Sequence, residues 1–261
     1  MKIKVTILGS GTSTGVPVIG CDCTVCQSDV PENKRLRSSI MITRLDTNEH
    51  IVIDTTPDFR AQMLRENVKR LKKVLYTHTH ADHIHGFDDL RAFYFHSKEK
   101  LECYLKKSDM EDLRKRFSYA FEATGYQGVA PQVELIEIGT KPFKVWDDFE
   151  VEPIELEHGN VKSTAFRFGR FAYATDFKTF ADADINKWRN KIDTMVCSGL
   201  HYRPHYTHST VPETLELFDL LSVKNGVITH TSHEIDFHKA SADLPKGRQF
   251  AYDGMSFEVE T

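Results

Sequence analysis

The sequence predicts an α/β fold in four layers, αββα, with two sheets packed face to face and helices outside, formed by one domain over residues 1–261. Three observations support it. Strand-like segments dominate the start of each half of the chain and helical ones its end. No Pro/Gly/Ser-rich linker or low-complexity stretch separates the halves. At 261 residues, 40% hydrophobic and 11% aromatic, the chain can bury a large core, and single α/β domains reach this size.

Met1–Leu8 alternates as a strand and runs into Gly9-Ser10-Gly11-Thr12-Ser13-Thr14-Gly15-Val16-Pro17. That segment is glycine-rich but lacks the Gly-Lys-Ser/Thr ending of a phosphate-binding loop, and cysteines rather than a helix follow, so a nucleotide site is not supported. Strands are expected at 39–43, 50–53, 73–76 and 101–105, with helices at 58–66, 88–95 and 110–121. In the second half, strands are expected at 133–138, 149–157, 164–168, 171–174, 194–197, 226–228 and 257–259. A helix at 211–221 carries Pro212 in its first turn.

Charge and cysteine usage narrow the function. With 34 basic and 38 acidic residues the net charge is −4, which argues against attachment to nucleic acid or membrane by bulk charge. The basic stretch Lys106, Lys107, Arg114, Lys115 and Arg116 reads as a solvated helix face. No apolar run is long enough to span a bilayer, and the N-terminus reads as part of the fold rather than a signal peptide. Five cysteines is an odd number and three are clustered, which argues against a disulfide framework and places the protein in the cytoplasm. Cys103 and Cys197 fall within strand-like segments and are expected to be buried, inert thiols.

The densest chemistry lies at His78-Thr79-His80-Ala81-Asp82-His83, just after the strand at 73–76. Alternation along an extended segment points His78 and His80 the same way, and a turn can bring Asp82 and His83 in from another side. Those donors suit two neighbouring divalent ions of the zinc, iron or manganese kind. Three further residues stand where strands end: His158, Asp176 and His230. Together they complete a ligand set for a two-metal site. Separately, Cys21-Asp22-Cys23-Thr24-Val25-Cys26 spaces three thiols to converge on one zinc, with His233 as the candidate fourth ligand. A redox pair or a chance cluster are the competing readings.

His-x-His-x-Asp-His, followed by a lone His, a lone Asp and a final His at strand ends, resembles the metallo-β-lactamase superfamily. The resemblance implies that His78, His80 and His158 hold one metal, that Asp82, His83 and His230 hold the second, and that Asp176 bridges them. Asp54, after Ile51-Val52-Ile53, matches the aspartate that orients the histidine loop; His85 matches no ligand position. The Gly9–Pro17 segment leading into the cysteines, His230-Thr231-Ser232-His233 and the terminal Ala251-Tyr252-Asp253-Gly254 narrow the resemblance to the branch of phosphoribosyl 1,2-cyclic phosphate phosphodiesterases. That branch implies a structural zinc on Cys21, Cys23, Cys26 and His233, a homodimer, and a general acid at His208, with Asp82 also counted among the catalytic residues. The segment Val196-Cys197-Ser198-Gly199-Leu200-His201-Tyr202-Arg203-Pro204 departs from the branch, and the roles of His201, Arg203 and His205 stay open.

The function expected is therefore hydrolysis of a small cyclic or diester phosphate by water activated on two metals, Zn or Mn, with one structural Zn. Alternatives are an endoribonuclease resembling transfer-RNA 3′-processing enzymes, a thioester or lactone hydrolase, and a metal-dependent binding protein. The endoribonuclease would need a flexible arm or basic track for RNA, and no such insertion is present.

Overall fold

The computed structural model describes residues 1–122 and 128–261. In chain order the first half supplies β1 (Lys2–Gly9), β2 (Ser39–Arg44), β3 (Glu49–Ile53), α1 (Phe59–Arg65), β4 (Lys73–Leu75), α2 (Ala81–Ile84), α3 (Arg91–Ser97), β5 (Leu101–Leu105), α4 (Lys107–Arg116) and β6 (Val133–Glu137). The second supplies β7 (Phe143–Trp146), β8 (Phe149–His158), β9 (Val161–Phe168), β10 (Phe171–Ala174), α5 (Asp182–Trp188), β11 (Thr194–Ser198), α6 (Val211–Leu220), β12 (Asn225–Thr229), α7 (Phe237–Ala242), β13 (Arg248–Phe250) and β14 (Ser256–Glu260).

These strands form two seven-stranded sheets, β14-β1-β2-β3-β4-β5-β6 and β13-β12-β11-β10-β9-β8-β7. The last strand therefore leaves the second half and closes the edge of the first sheet, antiparallel to β1, with Ile3 opposite Val259 and Val5 opposite Phe257. The sheets are parallel where helices cross over them, β3 to β6 on one side and β10 to β13 on the other, and their remaining strand pairs are antiparallel.

Alternation along the strands builds three apolar layers. Ile3, Val5, Ile42, Ile53 and Leu75 meet Phe166, Phe168, Phe171, Tyr173 and Val196 between the sheets. Val52, Val74 and Cys103 face the other way, onto Phe59 and Met63 of α1, Phe93 of α3 and Leu113 of α4. Met195, Cys197 and Ile228 pack under Ile185, Trp188 and Phe218 of α5 and α6. Neighbours such as Val74 and Leu75 are thus buried on opposite faces, which is why the central strands read as continuous apolar runs. The fold is the αββα sandwich. Cys103 and Cys197 are fully buried, and burial pushes both thiols well above their ordinary range.

Several boundaries differ from those read in the sequence. The helix expected at 88–95 is a 3₁₀ turn (Phe87–Leu90) running into α3, and the one expected at 110–121 starts earlier and breaks at Phe117 into a second 3₁₀ turn (Ser118–Ala120). The basic residues Lys107, Arg114, Lys115 and Arg116 are exposed on α4. Lys106, just before it, instead donates to the Lys162 carbonyl at 2.9 Å. β7, β13, α5 and α7 were not anticipated; all are short, and the two strands are sheet edges.

The glycine-rich segment after β1 serves close approach of backbones. A Cβ on Gly9 would stand 1.9 Å from the Arg37 carbonyl oxygen and 2.8 Å from Gln62 Nε2. Gly11 bridges both Arg37 and Thr231, so this strand end sits between the early and late halves. Asp253 fastens it: its carboxylate accepts from the Ser10 amide (2.9 Å), the Ser10 hydroxyl (2.8 Å) and the Leu36 amide (2.8 Å). Gly9→Ala should cost about 1–3 kcal/mol through backbone displacement. Gly139→Ala, where nothing lies within 4 Å of the added carbon, should stay within about 0.5 kcal/mol of wild type. Urea denaturation of the two variants checks the contrast, and equal stabilities would refute it.

Candidate metal centre

Strand ends bring the candidate residues to one edge of the sandwich. Asp54 follows β3, His78 follows β4, His158 closes β8, Asp176 follows β10 and His230 follows β12. Parallel strands end on the same edge, the usual location of sites in open α/β sheets. Asp54, Asp176 and His230 carry positive φ of 68°, 54° and 57°. Asp and His tolerate this region better than most residues, but each such position costs of order 1–3 kcal/mol. The strained backbone turns each side chain back over its strand end. Between His80 and His85 the one-turn helix α2 does the same for Asp82 and His83.

The structure brings together all seven expected donors. His78, His80 and His158 form one group and Asp82, His83 and His230 another, with the donor atoms of each group within 4.8 Å of one another. Asp176 spans the two: Oδ2 lies 3.0 Å from His83 Nε2, and Oδ1 lies 3.1 Å from His230 Nε2 and 3.8 Å from His158 Nε2. Asp82 Oδ2 is 3.3 Å from His83 Nε2. His85 is exposed, its ring against Phe117.

Hydrogen bonds on the far side of the rings decide which nitrogen faces the cluster. The fully buried Asp54 accepts from the Thr77 amide and hydroxyl, both at 2.8 Å, and from His83 Nδ1 at 2.7 Å. Because the Thr77 hydroxyl donates to Asp54, its lone pairs face His78 Nδ1, 3.0 Å away. His158 Nδ1 donates to the Thr207 carbonyl at 3.0 Å. In His78 and His158 the proton therefore sits on Nδ1 and the Nε2 lone pair points inward, and His83, which also donates from Nδ1, turns its Nε2 toward the Asp82 and Asp176 carboxylates. Thr77 and Thr207 were not singled out in the sequence; their contribution is a hydroxyl and a carbonyl placed by tertiary packing, for which the sequence carries no signal.

Burial and charge oppose each other here. Burial alone would raise the Asp176 carboxyl, but the His230 and His83 imidazoles override it and hold it well below the ordinary range; Asp82 is held low by His83 in the same way. Burial alone would lower His83, but Asp82, Asp176 and Asp54 hold it well above an ordinary imidazole. Burial and the neighbouring His83 push His78 down. Among the described residues the buried Nε2 of His78 has no hydrogen-bond partner, while those of His83 and His230 face only the Asp176 and Asp82 carboxylates. An orphaned buried polar atom costs about 1–3 kcal/mol. Inward lone pairs beside two carboxylates are the donors that zinc, manganese and iron(II) take up. These residues fit divalent ions.

His208 stands beside this cluster from the turn before α6. Its Nδ1 is 3.4 Å from Asp176 Oδ1, and its ring stacks on His230 (5.0 Å between centroids) and meets His158 at 4.7 Å. Burial, then the adjacent imidazoles, push it down to about 3, against the pull of Asp176. His205 lies 5.1 Å from it, ring to ring, and His201 is buried behind. Arg203 is engaged by Glu234, with Nη2 to Oε1 at 2.7 Å, on the surface. The nearest cavity, about 280 Å³, opens beside His78 and His80 and is lined also by Lys106, Asp109, Glu155 and Lys162. A larger one of about 510 Å³ lies elsewhere, between the β2–β3 turn, the segment before β4 and Trp146.

The cysteine loop closes on the expected histidine. The Cys21, Cys23 and Cys26 sulfurs lie 3.3, 3.5 and 3.5 Å from His233 Nδ1. The four groups fit a tetrahedral zinc. The Cys26 amide holds the Cys23 thiol down to about 6, and burial pushes Cys26 up to about 11. A buried arginine secures this corner: Arg35 donates from Nη1 to the Ser232 carbonyl (2.9 Å) and from Nη2 to the Ile235 carbonyl (2.7 Å) and Asn33 Oδ1 (3.0 Å). Arg35 and Asn33 were also missed in the sequence.

Residues 49–231 match the Beta-lactamase superfamily domain. The chain is 36% identical to a crystal structure described as a new diphosphatase from the PhnP family, with a TM-score of 0.91, covering 99% of this chain and 98% of that one. A Zn(2+)-bound PqqB from Methylobacterium extorquens shares the fold at 17% identity and a TM-score of 0.77, covering 98% of this chain and all of that one. An octanoyltransferase of Porphyromonas gingivalis is 35% identical over 99% of this chain, which spans only 52% of that protein's length. Among the described residues no helix is long and apolar enough to cross a membrane. The fold, the matched span and the 36% identity over nearly the full length place this chain in the metallo-β-lactamase superfamily of hydrolases, within its PhnP family.

Proposed function

We propose that the protein is a dinuclear-metal-dependent phosphodiesterase hydrolysing a small cyclic or diester phosphate. The observation that carries this reading is His208. Asp176 and the six residues of the two ligand groups already supply seven donors, and this further imidazole, whose donor atom also lies within 4.8 Å of those of His158 and Asp176, stands 3.4 Å from the Asp176 carboxylate and is more open to solvent than His158 and His230. A protein that only stored metal would need no proton donor there.

In this reading His78, His80 and His158 would hold one ion and Asp82, His83 and His230 the other, with Asp176 between the two groups. Divalent ions at those positions lower the pKa of water and neutralise charge on a phosphoryl oxygen. Asp54, Thr77 and the Thr207 carbonyl keep three imidazoles in the tautomer that presents Nε2. Asp82 stays ionised beside His83 and orients the attacking water. His208 delivers a proton to the departing alkoxide. Burial keeps its ring neutral in the free protein, and a phosphate anion docked against it favours the protonated form. Cys21, Cys23, Cys26 and His233 would hold a structural zinc.

The diphosphatase name of the 36% identical structure favours a second reading, cleavage of a phosphoanhydride. The two differ in the leaving group. An alkoxide needs a proton, whereas a departing phosphate is a weak base and needs none. The octanoyltransferase name belongs to a protein about twice as long, and half of it lies outside the match; attack on an acyl carbonyl is the third arm of the test. The net charge of −4 weighs against an RNA substrate.

Manganese- or zinc-loaded protein should turn over bis(p-nitrophenyl) phosphate, lose that activity to a chelator and regain it on reloading. It should do so in preference to a pyrophosphate diester or an octanoyl thioester; metal-replete protein inert toward the diester would end the proposal. His208→Ala should lower kcat on the diester by roughly 10²–10⁴ with unchanged metal content by elemental analysis. If the loss appears only as missing metal, His208 is a ligand instead. Cys21→Ala should remove one zinc equivalent and lower the unfolding midpoint by about 2–4 °C per kcal/mol of coordination lost, with the other two metal equivalents retained.

A further inference from the structure

The turn before α6 is organised by His205. Its Nδ1 receives the amides of Thr207 and His208, both at 3.3 Å, and lies 3.3 Å from the Thr207 hydroxyl. Two backbone N–H groups on one nitrogen require that Nδ1 carry a lone pair, so the ring proton sits on Nε2. The side chain acts as an Asn or Asp does when it caps a turn two and three residues ahead.

What that turn supports is more telling than the turn itself. The Thr207 amide is held by His205, while the Thr207 carbonyl accepts from His158 Nδ1 at 3.0 Å. The Thr207 methyl packs on Gly159, where an added Cβ would come within 2.8 Å of it. On the far side, Ser209 is fixed to the Phe177 carbonyl at 2.7 Å and to Leu200 at 2.9 Å. The far side of the turn is anchored by backbone, and on the near side His205 takes the Thr207 and His208 amides.

We propose that His205 is a positioning residue: by gathering the Thr207 and His208 amides it sets the direction of the His208 ring and holds the carbonyl that braces His158. The inference rests on the phosphodiesterase reading only for what His208 does. The role of His205 in the turn, and through it on His158, stands apart from that reading.

Three measurements on the full chain test it. Long-range ¹H–¹⁵N spectra of the metal-free protein should show His205 protonated on Nε2 alone. His205→Ala should lower kcat on bis(p-nitrophenyl) phosphate roughly ten- to a hundredfold, the scale of a misplaced catalytic group, with KM changed by less than about twofold. The same variant should bind manganese several-fold more weakly in equilibrium dialysis. His205→Asn, which can accept the same two amides, should recover most of both losses, and at saturating manganese His205→Ala should add little to the loss in kcat once His208 is alanine, while its weaker manganese binding persists. Failure of asparagine to rescue a well-folded variant would mean that the ring itself contacts substrate and would overturn the proposal. So would wild-type kcat and metal affinity in His205→Ala, or an Nδ1-protonated His205. Should His208→Ala prove fully active, the general-acid assignment fails, while the tautomer and metal-affinity arms still decide the case of His205.

Discussion

A fully buried carboxylate is the constraint around which the site is arranged. Asp54 has no solvent to stabilise it, so every acceptor position must be filled from within the protein. Thr77 supplies an amide and a hydroxyl, and His83 supplies Nδ1–H. Each of those bonds fixes something else. The Thr77 hydroxyl, committed to Asp54, turns its lone pairs to His78; His83, committed through Nδ1, turns Nε2 to Asp176 and Asp82. One charge, buried at the end of β3, thereby sets the tautomers of two histidines in two different ligand groups. An asparagine could fill the space but could not accept from all three donors.

The fold makes this possible because parallel strands leave their carboxyl ends on one edge. β3 and β4 deliver Asp54 and His78 from the first sheet; β10 and β12 deliver Asp176 and His230 from the second. The two sheets share the inter-sheet core, in which Tyr173 and Leu75 are both buried. A displacement of one sheet against the other would separate the ligand groups that Asp176 spans. Rigidity in the apolar layer and geometry at the polar edge are thus one requirement. The positive φ values at Asp54, Asp176 and His230 fit this: strain of that kind persists only where the surrounding packing over-determines the backbone.

Much of this arrangement was legible in the sequence, and the reason is chemical density. Three imidazoles and a carboxylate within residues 78–83 have no packing explanation, and strand-end His and Asp residues are informative once such a run is known. The αββα layering followed from strands at the start of each half of the chain, helices at its end and no linker between them. The groups that orient the ligands were not legible. Thr77 and Thr207 act through a hydroxyl and a backbone carbonyl, which any sequence supplies in abundance. Arg35 reaches Ser232 and Ile235 across about two hundred positions, and no local pattern encodes a contact at that separation. Short edge strands such as β13 and one-turn helices such as α2 carry too few residues for periodicity to register.

His230 and His233 sit three residues apart, one in the dinuclear cluster and one in the cysteine corner, with backbone bonds holding the residues between. The Thr231 amide donates to Ser10, the Thr12 amide donates to Thr231, and Arg35 grips the Ser232 carbonyl. A zinc on Cys21, Cys23, Cys26 and His233 would fix the far end of this segment, and at the near end the outer nitrogen of His230, Nδ1, has no hydrogen-bond partner among the described residues. Unlike His78, His83 and His158, His230 is oriented by no partner on its outer face. Its direction comes from the stacked His208 ring, from Asp176 at Nε2 and from the backbone that carries it. The bonds at Ser10, Thr12 and Arg35 therefore fix the backbone between the two histidines, and a zinc in the cysteine corner would brace it further.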